Sequence, residues 1–166
     1  MLNGNNDETS AYDLLWKGLV TNDLFLVKMA IFKDPSQIEA KKAINLSINY
    51  TPLLYSSHNG YLEIVKCLVE NRANIHADDD DALRLASGVG HLEVVKYLVE
   101  HGANIHAEND EALRMSSRFG HLEVVKYLVR MGAGSWRVRT YNDEALGSAS
   151  SNGHLEVVKF SVKHIL

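Results

Sequence analysis

Gly90-His91-Leu92-Glu93-Val94-Val95-Lys96-Tyr97-Leu98-Val99 recurs thirty residues later, without a single change, as Gly120 to Val129. A third copy runs Gly153-His154-Leu155-Glu156-Val157-Val158-Lys159-Phe160, and a drifted one runs Gly60-Tyr61-Leu62-Glu63-Ile64-Val65-Lys66-Cys67-Leu68-Val69. The glycines stand 30, 30 and 33 residues apart, a period that marks solenoids. Val94, Val95, Leu98 and Val99 form an apolar stripe at helical spacing, with Glu93 and Lys96 on the outer face. The preceding Asp81-Ala82-Leu83-Arg84-Leu85-Ala86-Ser87 predicts a short first helix, which Gly90 ends by supplying a left-handed cap; Gly102 does the same for the second. Two helices of this length cannot bury both apolar faces alone, so each pair must stack on its neighbours.

The chain has 166 residues, enough for one domain, and its 46% hydrophobic and 23% charged residues are those of a globular protein. Its net charge of -4, from 17 cationic and 21 anionic residues, disfavours a nucleic-acid partner, which calls for surplus cations. The lone Cys67 excludes an internal disulfide and fits a reducing compartment. No apolar run approaches the ~20 residues of a membrane span. The polar start, Met1 to Ser10, lacks the pattern of a signal peptide. An intracellular, cytoplasmic protein without membrane contact is expected.

Three features together resemble the ankyrin repeat: Thr51-Pro52-Leu53 at the start of a first helix, Gly-His before the second, and Gly102-Ala103-Asn104-Ile105-His106 after it. The resemblance implies an all-α ankyrin-repeat solenoid of stacked helix-turn-helix units. Two units are three residues short, and the missing residues fall in the hairpin finger, so shortened fingers are expected. Such 30-residue units with Asp/Glu-Ala-Leu-Arg openings are similar to those of ankyrin proteins from large amoeba-infecting DNA viruses. A flexible N-terminus over 1–11 and an ankyrin domain over 12–166 follow, with repeats near 12–49, 50–80, 81–110, 111–143 and 144–166.

The end units are atypical. Asn22 takes the glycine column of a divergent first repeat, followed by Asp34-Pro35-Ser36-Gln37, the capping box of a short added helix. Arg72 occupies the column of Gly102 and Gly132, so a left-handed arginine is expected there. Ser161 replaces the buried Leu98/Leu128 column, as suits a unit with nothing stacked beyond it.

Catalytic and metal chemistry find little support. His91, His121 and His154 form one column and His76 and His106 another; columns about 10 Å apart cannot share a metal, so loop hydrogen bonding is expected instead. The run Asp78-Asp79-Asp80-Asp81 lacks a calcium loop's glycine and distal glutamate and matches Glu108-Asn109-Asp110-Glu111, a helix start where carboxylates cap free N–H groups. Ser56, Ser87, Ser117 and Ser150 recur in helical units outside any nucleophile elbow, and no phosphate-cradling glycine loop occurs. Cys67 shares a packing column with Tyr97, Tyr127 and Phe160. No enzyme activity, cofactor or metal is expected.

Differences between the near-copies concentrate on the first helix, where Ala82, Leu85 and Val89 share one face and Leu83, Ala86 and Ser87 pack on the core. The resemblance implies that the former face lines a concave groove. Its rows are Tyr55, Leu85, Met115 and Ser148, then Asn59, Val89, Phe119 and Asn152. The apolar middle marks either an interaction site or side chains filling gaps between repeats. Arg118 sits beside Phe119, while Arg84 and Arg114 could meet acids on a partner or tie down loops. Trp136, at a finger tip with Arg137 and Arg139, has the composition of a binding hot spot, or else covers the junction of the last two repeats. The expected partner-binding residues are therefore Tyr55, Asn59, Leu85, Val89, Met115, Arg118, Phe119 and Trp136. Residues 51–80 and 81–110 each carry a net -3 and residues 111–143 a net +3, a field that could orient a partner lengthwise. The expected function is a monomer that holds an unidentified protein in its groove, a host factor if the viral resemblance holds. The alternatives are a scaffold without a dedicated partner, or a substrate adaptor for ubiquitin ligation.

Overall fold

Apolar residues at three-and-four spacing leave every helix one face to hide, and the structure hides it by pairing and stacking. The computed structural model describes residues 9–45, 48–133 and 139–164. Its helices are α1 (Ala11–Thr21), α2 (Leu24–Lys33), α3 (Pro52–Asn59), α4 (Leu62–Glu70), α5 (Asp81–Val89), α6 (Leu92–Glu100), α7 (Ala107–Arg118), α8 (Leu122–Arg130), α9 (Arg139–Ser151) and α10 (Leu155–His164). A 3-10 turn over Pro35–Glu39 and an antiparallel hairpin of β1 (Lys42–Asn45) and β2 (Ile48–Tyr50) join the first pair to the second. The first helices α1, α3, α5, α7 and α9 touch in succession, and α2, α4, α6, α8 and α10 form a parallel second row. One core runs between the rows, from Leu15, Leu19 and Val27 through Leu53, Leu68, Leu83 and Leu98 to Leu113 and Leu128. The all-α class expected from the repeat is the one observed.

Local caps follow the sequence. The Thr51 hydroxyl accepts from Leu54 N at 3.2 Å, with Pro52 in the first helical turn. Asp34 accepts from Ser36 N at 3.0 Å and from Gln37 Nε2 at 2.8 Å, starting the added helix, which is a single 3-10 turn. Asn22 (φ 53°) and Arg72 (φ 71°) are left-handed, as their glycine columns imply.

Gly60, Gly90 and Gly120 meet two demands at once. Each has a positive φ, and each lies directly beneath the imidazole of the next repeat's His91, His121 or His154, so that a methyl group at any of the three would overlap the ring. His91 Nε2 donates to the His58 carbonyl at 3.1 Å and His121 Nε2 to the Gly88 carbonyl at 2.9 Å. The Gly-His dipeptide is thus a lock between neighbours: glycine receives the following repeat and histidine grips the preceding one.

Three expectations are corrected. Ala82 does not share the open face with Leu85 and Val89; it is buried, like Ala112, where consecutive first helices come together. Ser161 is also buried, because α10 still leans on α8 and α9, and its hydroxyl has no hydrogen-bond partner among the described residues. The acidic run does not cap α5 through its side chains. Asp78, Asp79 and Asp80 are three consecutive left-handed residues, as are Glu108, Asn109 and Asp110, and the Asp80 carboxylate caps no α5 N–H. That carboxylate is buried, accepts from Asn104 N of the next repeat at 2.9 Å and faces His76 Nδ1 at 3.1 Å. The physical reason is finger length: with three residues removed, the chain reverses through a tight left-handed turn, which Asp and Asn tolerate better than most residues.

Gly90 and Gly102 separate the two demands on glycine, since Gly102 has a positive φ and nothing within 4 Å of its virtual methyl. Gly102→Ala should cost about 1 kcal/mol from backbone strain alone, and Gly90→Ala distinctly more because His121 must also leave. Urea unfolding of the two variants compares them; equal losses would dissolve the lock. Arg72→Gly should stabilise by about 0.5–1 kcal/mol, raising the thermal midpoint by roughly 2 °C. A lower midpoint would contradict the strain assigned to Arg72.

Candidate functional site

The open faces of α3, α5 and α7 lie side by side, and the repeat register brings Leu85, Val89, Met115 and Phe119 together. They line a cleft of about 530 Å³ with Gly88, His58 and His121. Val89 and Phe119 are 41% and 49% exposed, large apolar side chains left in water between two half-buried ones, Leu85 and Met115. Gly88 creates the space. It takes the column filled by His58 in the repeat before and Arg118 in the repeat after, and a methyl placed on it would stand 3.3 Å from Met115 Cε.

The other expected residues divide. Tyr55 is half-buried in an aromatic group, edge-on to Trp16 at 5.9 Å and to Tyr50 at 6.1 Å, and burial raises its phenol pKa. It closes the first-repeat end of the groove and does not line the cleft. Asn59 turns its amide onto its own helix, donating to the Tyr55 carbonyl at 2.8 Å. Arg118 is exposed, with its guanidinium 5.7 Å from the Phe119 ring centroid and no carboxylate partner among the described residues. Trp136 lies outside the described residues.

A smaller polar hollow of about 200 Å³ adjoins the cleft, walled by Glu111, Arg114, Met115, Arg118, Glu144 and Ser148. Arg114 is engaged within it, paired with Glu111 and with Glu144 of the next repeat at 3.3 Å. Arg84 pairs with Asp81 at the start of its own helix. Both arginines therefore tie down local structure, and Arg118 is the cation presented outward. His58, Gly88 and His121 belong to the site although sequence reasoning omitted them. The missed signal was Gly88 itself, a glycine near the end of α5 in the column of His58 and Arg118.

The arrangement can bury one or two bulky apolar side chains and offer a cation to a neighbouring acid. It assembles no nucleophile and base. Cys67 stands on the opposite side of the repeat row, and burial pushes its thiol pKa up, away from the thiolate form. Ser87 and Ser117 are wholly buried. Among the described residues, no group of three His, Cys, Asp or Glu side chains could hold a metal ion, and no helix is long and apolar enough to cross a membrane.

No curated protein matches the chain. A family model for ankyrin repeats, in three copies, matches residues 19–109. That span covers more than half of the sequence and contains α3 to α6 whole, with the left-handed caps, the first Gly-His lock and one wall of the cleft, so the chain belongs to the ankyrin-repeat family.

Proposed function

We propose that the protein captures a partner protein in the groove formed by α3, α5 and α7, with the Leu85–Val89–Met115–Phe119 cleft as its anchor point. Ankyrin repeats are in general protein–protein interaction modules and not enzymes. The observation that carries the specific site is the void left by Gly88: an apolar hollow, open to solvent, where the neighbouring repeats place a histidine and an arginine. A well-packed core has no use for such a gap, whereas an incoming Leu or Phe side chain would fill it. Arg118 at the rim would then meet an acidic residue of the partner. Action is steric, a stiff surface that blocks or localises what it holds. The likeness of the 30-residue units to those of amoeba-virus proteins extends the proposal to a partner in the host cell.

Leu85→Asp combined with Phe119→Asp should cut partner capture in a pull-down from the natural cell by about 30-fold or more, with helicity unchanged in circular dichroism. Undiminished capture would reject the groove. Gly88→His puts the preceding repeat's own residue at the cleft, where Met115 Cε, 3.3 Å from the first added carbon, must swing aside; it should abolish capture while circular dichroism stays helical. Capture at the wild-type level by Gly88→His would show that the cleft is not the anchor.

A further inference from the structure

The second helices of four repeats carry the same surface device. Glu63 and Lys66, Glu93 and Lys96, Glu123 and Lys126, and Glu156 and Lys159 are ion pairs one turn apart, at 2.7, 2.7, 2.7 and 2.8 Å. The helix α2 keeps the lysine, Lys28, and replaces the glutamate with Phe25. The column of Glu70, Glu100, Arg130 and Lys163 holds Phe32 in α2, and the packing column of Cys67, Tyr97 and Tyr127 holds Met29. Phe25, Met29 and Phe32 are 69%, 44% and 87% exposed, and their spacing of four and three places them along one helical stripe. Lys28 has no carboxylate partner among the described residues. Beside the stripe lies a hollow of about 440 Å³, walled by Lys28, Ile31, Phe32, Pro35, Cys67 and Glu70 among others.

We infer that this face of α2 is a second docking surface, remote from the groove, that takes an amphipathic protein helix carrying a carboxylate beside its apolar seam. The apolar stripe and the unpaired ammonium arise from the same change, since Phe25 stands where Lys28 would find its counter-charge. An incoming acidic side chain restores the pair that the other four repeats make internally, while its apolar neighbours cover Phe25, Met29 and Phe32. A second copy of the chain fits poorly, because the same face brings lysine against lysine. A bilayer fits poorly as well: the hollow beside the stripe suits discrete side chains and not a flat sheet.

The test uses the full chain and a fluorescent synthetic helix of roughly 18 residues, long enough to be helical, whose leucine seam is flanked by glutamates. A twin has every glutamate replaced by lysine. Anisotropy should show the glutamate peptide bound at least about tenfold more tightly than its twin, the scale of one charge-assisted contact. Phe25→Gln with Phe32→Gln changes only exposed helical positions and should abolish binding. Lys28→Gln should remove most of the preference between the peptides, and Leu85→Asp with Phe119→Asp should leave binding intact. The proposal is overturned if neither peptide binds, if the twin binds equally, if binding survives the double glutamine variant, or if it vanishes in the groove variant. Binding to phosphatidylserine vesicles in place of the peptide, or self-association abolished by the double glutamine variant, would overturn it too.

Discussion

An imidazole resting on a bare α-carbon holds this molecule in register. The Gly90-His91 and Gly120-His121 steps each touch both adjacent units, and both depend on glycine, which takes the positive φ that ends a first helix and leaves the empty space into which the following histidine settles. The histidine's Nε2–H then satisfies a carbonyl near the end of the previous first helix, one of the acceptors that every helix terminus leaves unpaired. Hydrophobic burial between the two rows supplies most of the stabilisation, but it is non-directional. The lock decides how far one unit slides and turns against the next. The groove inherits its geometry from that choice, because Leu85 and Met115 meet only if α5 and α7 are aligned to within a fraction of a turn.

Much of this was legible before any coordinates. Ten identical residues at a thirty-residue spacing permit few solutions, and the helix pairs, caps, left-handed Asn22 and Arg72 and single core all follow from local rules. The finger turns did not follow. A run of aspartates before a helix matches both an N-cap and a left-handed reversal, and the sequence pattern is the same in each case; only the backbone path shows that Asp80 reaches forward to Asn104. Ala82 was misplaced for a related reason. Helical spacing groups it with Leu85 and Val89, but a face that curves against two neighbours is buried at one edge and open at the other.

The groove was readable as a row of positions and not as a cavity. Counting columns identified Leu85, Val89, Met115 and Phe119, yet a void is made by what is missing, and Gly88 is easy to pass over as another small residue. Tyr55 belongs to the same column as Leu85 but is drawn into the ring cluster of Trp16 and Tyr50, which exists only because the first repeat is aromatic. The stripe on α2 stayed hidden for the opposite reason. That helix is apolar on nearly every side, and the pattern alone does not separate the buried Val27 and Ile31 from the bare Phe25 and Phe32.

The left-handed fingers have an effect at the edge of the molecule. Only Lys42–Asn45 and Ile48–Tyr50 pair as strands among the described residues; at 78–80 and 108–110 the backbone coils too tightly to leave a row of unpaired N–H and C=O groups. A foreign chain seeking to lengthen a ladder finds no template at those two turns, and among the described residues only the outer edges of the β1–β2 hairpin offer one. Shortening those two loops thereby closes one common route to stickiness at that part of the edge.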